Sequence, residues 1–328
     1  MATMPSMDSL TGKVKQALLL YFDGFREACC LHRVVIFCRK SRMLFIRTGQ
    51  CFLLNGLIFL GSLFILNSVV IPTIQWILPD ECQNFGSKDL CPLGGIVKLY
   101  SFLSNGLIQL FYIFWFYPLY VFSFVLSSIW YNDIAKHAFV AMGKHHSAIA
   151  ELSIETLPNS QDSLHVDKCP GLGGVIIGIG EQIYSVLLLS FFFLEVFAAG
   201  LIPYIGKVLN FLLLSWMYAY YCFEYKWNLA DVALDKRLDF FESNWAFFAG
   251  FGGPCVLAIF FFPPLVSYGV MAILFPLFVV TATGSEAEKV INSKRTTWRC
   301  AGLGRLPIFY AADTLSMRVL SLLDGKVL

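Results

Sequence analysis

Apolar and polar residues separate along this chain into long blocks. In residues 10–47 the two are mixed, and Val14, Leu18, Phe22 and Phe25 recur at helical spacing. That pattern predicts an amphipathic helix, lying on a membrane surface or packed on the rest of the protein. From Cys51 to Ile71, and on toward Trp76, no charge occurs. As a helix this block is long enough for roughly 30 Å of hydrocarbon, so a first span is expected near 51–76. A polar loop, Asp80 to Gly95, follows. The next apolar block, 97–130, exceeds one crossing, and Pro118 inside it predicts a kink. Residues 131–172 are polar, with breakers at Pro158, Asn159 and Ser160.

Two apolar hairpins complete the pattern. The first is expected over 174–223, with its tip at Leu201–Gly206; the second over 245–283, with its tip at Pro263 and Pro264. Most of their arms sit at the short end for a full crossing, so penetration can be full or partial. The expected fold is all-α and multi-pass: two long transmembrane helices, two short-armed hairpins and interfacial amphipathic helices. The parts are an arm (1–47), a membrane domain (48–283) and a tail (284–328).

Composition agrees. Of 328 residues 57% are hydrophobic and 14% charged, against about 25% charged in soluble domains. A net charge of +2 gives no reason to expect nucleic acid as a partner. Eight basic residues lie between Lys13 and Arg47, against Asp23 and Glu27. The tail carries Lys289, Lys294, Arg295, Arg299, Arg305, Arg318 and Lys326. Basic flanks favour the cytosolic side, so both termini are expected there and the Asp80–Gly95 loop opposite. The start of the chain lacks the apolar core and small-residue site of a cleavable signal peptide.

Cys82 and Cys91, on the oxidising side, form a candidate disulfide or remain two thiols. Cys29, Cys30 and Cys38 are read as free thiols, with palmitoylation the alternative. His137, His145, His146, His165 and Cys169 fit no tetrahedral zinc spacing and read as solvated loop residues. Neither metal nor cofactor is expected. No phosphate-binding loop, His-Glu-x-x-His pair or Gly-x-Ser-x-Gly elbow occurs, so no enzyme is expected.

Three acidic features stand out. Glu181 and Glu195 lie in the leading arm of the first hairpin, Glu195 among phenylalanines. An ionisable group at depth is costly and is a functional candidate, unless it sits near an interface or bonds a neighbouring helix. In Tyr221-Cys222-Phe223-Glu224-Tyr225-Lys226-Trp227, four aromatic residues surround a glutamate and a lysine where an apolar run ends. It reads mainly as an interfacial anchor, with Lys226 snorkelling and Glu224 pairing with Lys226 or a later base. Projected as one helix, Trp227–Trp245 carries Asp231, Asp235, Asp239 and Glu242 in a stripe. Such a stripe is a solvated face, or a surface for a basic partner or the chain's own basic arm.

Several of these segments resemble the etoposide-induced-protein family. They are Tyr221–Trp227, Arg237-Leu238, Glu242-Ser243-Asn244-Trp245, Phe248–Pro254, Ile273–Val280 with Pro276, and Ser128–Ala135. The resemblance implies a multi-pass protein of the endoplasmic reticulum, linked to autophagy and, in animals, to growth and cell-death control through Bcl-2 proteins. It also implies kinship with bacterial CysZ sulfate permeases, built from long helices and partly penetrating hairpins. The arm, residues 142–170 and the tail match the animal members poorly, so no Bcl-2 site is carried onto them. The resulting expectation is a non-enzymatic membrane protein supporting autophagy, whose partners are lipids, regulatory proteins and a second copy of itself. The alternative is an anion or proton-coupled transporter with Glu195 titrating.

Overall fold

A computed structural model describes residues 7–77, 94–143, 172–297 and 303–324. Every regular element among them is a helix. Among the described residues four helical runs are long and apolar enough to cross a membrane: Arg42–Ile74, Asn105–Ala141, Ile183–Gly200 and Pro264–Gly284. Their outer faces expose large apolar side chains such as Phe64, Phe114 and Phe122. A bilayer solvates such a surface, and the chain is a multi-pass membrane protein. Cys82, Cys91, His145, His146, His165 and Cys169 lie outside the described residues. Among the described residues no group of His, Cys, Asp and Glu could hold a metal ion.

The arm folds as α1 (Met7–Ala28) and α2 (His32–Lys40). The first membrane run is continuous through α3 (Arg42–Phe52), a π-helical segment π1 (Leu53–Leu60), α4 (Gly61–Ile65), π2 (Leu66–Val70) and α5 (Ile71–Ile77). It starts at Arg42, earlier than the expected 51, because the Ser41 hydroxyl caps it by accepting from the Leu44 N–H, and Arg47, paired with Asp133 at 3.1 Å, lies within it. The second run comprises α6 (Gly94–Phe111), π3 (Tyr112–Phe116) and α7 (Tyr117–Ala141). It continues past the expected end at 130. Pro118 lies two residues past the end of π3, where the Tyr117 N–H bonds the Tyr112 carbonyl five residues back. The wider turn accommodates the proline within a continuous helical run.

The first hairpin is α8 (Leu172–Gly200) and α9 (Gly206–Leu229). Its second arm runs beyond the expected Phe223, and at 24 residues is about 36 Å long. A short helix, α10 (Leu234–Ser243), leads to the second hairpin, α11 (Trp245–Leu257) and α12 (Pro264–Gly284). With 13 residues α11 reaches only about 20 Å. The tail forms α13 (Ala287–Thr297) and α14 (Tyr310–Asp324), and α14 packs on α8.

The bundle centres on α11, held between α1 and α9. A Cβ at Gly250 would overlap the Tyr21 carbonyl, one at Gly24 the Phe247 carbonyl, and one at Gly252 the Ser215 carbonyl. Small residues let these backbones touch, as in close membrane helix pairs. The arm thus packs as an ordinary helix, through Leu20, Tyr21, Gly24 and Ala28. The apolar stripe Val14, Leu18 and Phe22 points outward. Close backbone approach, rather than apolar periodicity, selects the packed face.

Candidate functional site

The stretch Tyr221–Trp227 belongs chiefly to the core. Cys222, Phe223 and Trp227 are buried, and Phe223 packs edge-on against Phe248 and Phe251. Tyr225 and Tyr221 are less deeply set. Lys226 does not snorkel. Its Nζ donates to the Ser285 carbonyl at 3.1 Å and pairs with the Glu288 carboxylate at 3.1 Å. Glu224 points elsewhere, because residues two apart face different sides of a helix. It accepts from the Ser185 hydroxyl at 2.8 Å, with Arg237 nearby.

The acidic stripe is broken. The helix expected over Trp227–Trp245 ends at Leu229, and Asp231 takes a left-handed backbone with φ 51°. Arg237 closes this break from within, its Nε donating to the Val232 carbonyl at 2.6 Å and its Nη1 to the Asn228 side chain. Asp231, Asp235 and Asp239 are exposed, but Glu242 is buried. Glu242 takes Arg305 Nε at 2.8 Å and the Phe309 backbone amide at 3.0 Å, while Asp239 pairs with Arg305 at 3.0 Å. The partner of these two acids is the chain's own tail, not its N-terminal arm.

Glu195 serves the same tail. The Ala312 amide, in the first turn of α14, lies beside its carboxyl, and its Oε1 is buried without a hydrogen-bond partner. Tyr184 bonds Asp313 of the same turn. A carboxylate near a helix N-terminus meets free amides and the positive end of the dipole. Glu195 and Glu242, from α8 and α10, therefore clasp one end of α14. The helix backbone carries Glu181, whose side chain lies outside the described residues.

A second polar site, not foreseen in the sequence, lies where α12, α7 and π1 meet. Pro276 has no N–H, so the Ala272 carbonyl four residues back has no helical donor. It accepts from the Tyr131 hydroxyl at 3.1 Å and from Asn55 Nδ2 at 3.4 Å. Asn55, fully buried, also donates to Ser127 at 3.0 Å and accepts from the Ser123 hydroxyl. Ser123 in turn meets the Tyr268 hydroxyl at 3.1 Å. Ser123, Ser127 and Tyr131 stand four apart on α7; Tyr268, Ala272 and Pro276 stand four apart on α12. The available signal was this spacing, with an asparagine inside an uncharged span.

Residues 30–276 match the family described as sulfate transporter CysZ/etoposide-induced protein 2.4. The chain belongs to this family. Its relatives include a Protein EI24 homolog of Arabidopsis thaliana, 64% identical over 95% of this chain and 97% of that protein. A Protein EI24 homolog of Dictyostelium discoideum is 27% identical over 96% of this chain and 88% of its own. Ectopic P granules protein 4 of Caenorhabditis elegans is 26% identical over 50% of this chain and 46% of its own. No solved structure matches the chain.

Within this CysZ/etoposide-induced protein chain, the motifs recognised in the sequence are mostly packing devices. Asn244 Nδ2 donates to the Phe240 carbonyl at 2.8 Å, and Trp216 Nε1 donates to the Trp245 carbonyl at 2.9 Å. Pro254 interrupts the ladder of α11 beside the close approaches at Gly250 and Gly252.

Proposed function

We propose that the chain is a non-enzymatic membrane protein of the endoplasmic reticulum that supports autophagy, with both termini cytosolic. Family membership supports the reading, and the basic arm and tail support the orientation. The observation that favours a scaffold over a transporter is the closure of Asn55, Ser123, Ser127, Tyr131 and Tyr268 on one another and on the Ala272 carbonyl. Polar groups that bond across helices fix a bundle's shape. A permeation path instead presents groups to a passing ion. The architecture suits a scaffold whose cytosolic surface meets other proteins and lipid.

Two assays test this. Deletion in the cell of origin is expected to lower autophagic flux, with recovery on re-expression; unchanged flux overturns the autophagy role. Proteoliposomes holding the folded protein are expected to take up sulfate no faster than empty vesicles. Uptake above them makes the protein a transporter, with Glu195→Gln as the next variant.

A further inference from the structure

We propose that the corner between α2 and α3 binds one anionic glycerophospholipid, its phosphate on Arg39 and Arg42 and one acyl chain in the groove below. A groove of about 470 Å³ opens there, walled by Val34, Val35, Phe45, Phe52 and Leu277. That volume is within the usual range for a small-molecule site. Arg39 is the one charged residue on the wall.

The charges are arranged for an outside anion. Arg33 and Arg47, on the same two helices, are taken by Glu27 and Asp133. Arg39, Lys40 and Arg42 are exposed, and among the described residues no carboxylate pairs with them. Arg42 opens the helical run that holds the first span, so this cluster lies at the proposed cytosolic end of that run. From Arg42 to Phe52 the helix descends about 15 Å, half the roughly 30 Å of a hydrocarbon core. The groove therefore runs from the headgroups through one leaflet, the reach of a single acyl chain. Charge above and an apolar slot of that depth below select a lipid over a free phosphate or an acidic peptide.

The test uses detergent-purified full-length protein titrated with dioleoyl phosphatidylserine or dioleoyl phosphatidylcholine, with bound lipid counted by native mass spectrometry. One phosphatidylserine should bind at least tenfold more tightly than phosphatidylcholine. Arg39→Gln with Arg42→Gln should weaken it about tenfold or more. Gly49→Leu should weaken it while both charges remain. Gly49 borders the groove and a Cβ there meets nothing within 4 Å, so the first carbon of the new side chain meets no clash. An unchanged melting temperature checks folding, and should the double variant fail it, Gly49→Leu alone decides. Equal binding of the two lipids overturns the proposal, as does wild-type affinity in a folded variant. So does full displacement by phosphoserine, which needs no acyl slot.

Discussion

The carbonyl of Ala272 shows how one residue type shapes its neighbours. Pro276 removes its donor, and Tyr131 and Asn55 replace it from two other helices. Tyr131→Phe should therefore destabilise the detergent-solubilised protein by about 1 kcal/mol, the scale of interhelical bonds in membranes. In a Pro276→Ala background the helix supplies its own N–H, so the same change should cost less than half as much. Thermal unfolding of the four proteins of this cycle measures the coupling; equal costs in both backgrounds would show the bonds independent. Glycine offers a second contrast. Gly252→Ala would force α11 away from the Ser215 carbonyl and should cost about 2 kcal/mol or more. Gly49→Ala, with nothing near its Cβ, should be neutral or stabilise by up to about 1 kcal/mol. Melting temperatures separate the two.

Among the elements, α14 carries a marked dependence on two distant acids. Glu242 is buried and binds both Arg305 and the Phe309 amide, so Glu242→Ala leaves two donors without it. The tail should then be cut by trypsin after Arg305 or Arg318 several-fold faster than in wild type. Arg305→Gln should speed cleavage after Arg318 less than Glu242→Ala does, because glutamine can still donate to the buried Glu242 and the Phe309 amide remains its donor. If Glu242→Ala leaves the tail resistant, the clasp is not what holds α14. The same element marks where sequence reading stops. The spans near 51–76 and 97–130 and both hairpins were legible, since long apolar blocks and tips bearing proline or glycine are local signals. The break at Asp231 was not, because alternating acidic and apolar positions continued the helical period across it. The fate of Glu242 was hidden for another reason: its partners lie 63 and 67 residues away. Asn55 escaped attention because its companions sit on other spans and π1 sets where it points.

Across the whole molecule, apolar exposure extends to the hairpin tips. Tyr204 is 97% and Phe261 81% exposed, with Leu201, Ile205 and Phe262 exposed beside them. Groups of that kind are stable in hydrocarbon. Cysteines placed at Tyr204 or Phe261 should add no labelling by an impermeant maleimide on either side of sealed microsomes, while one at Asp235 should be labelled from the cytosolic side. Labelling at the tips from the opposite side would place them in water. The centre of the bundle has a different consequence, one for inheritance. The family match begins at residue 30, after α1 has ended, yet Gly250 within the match abuts Tyr21 outside it. The small residue at 250 is thus constrained by a neighbour that lies outside the stretch defining the family, though inside the 95–96% of the chain shared with the Arabidopsis and Dictyostelium relatives. Relatives that carry a larger side chain there should have lost, tilted or withdrawn their first helix, so the size of this one position becomes a marker of which lineages kept the arm against the bundle.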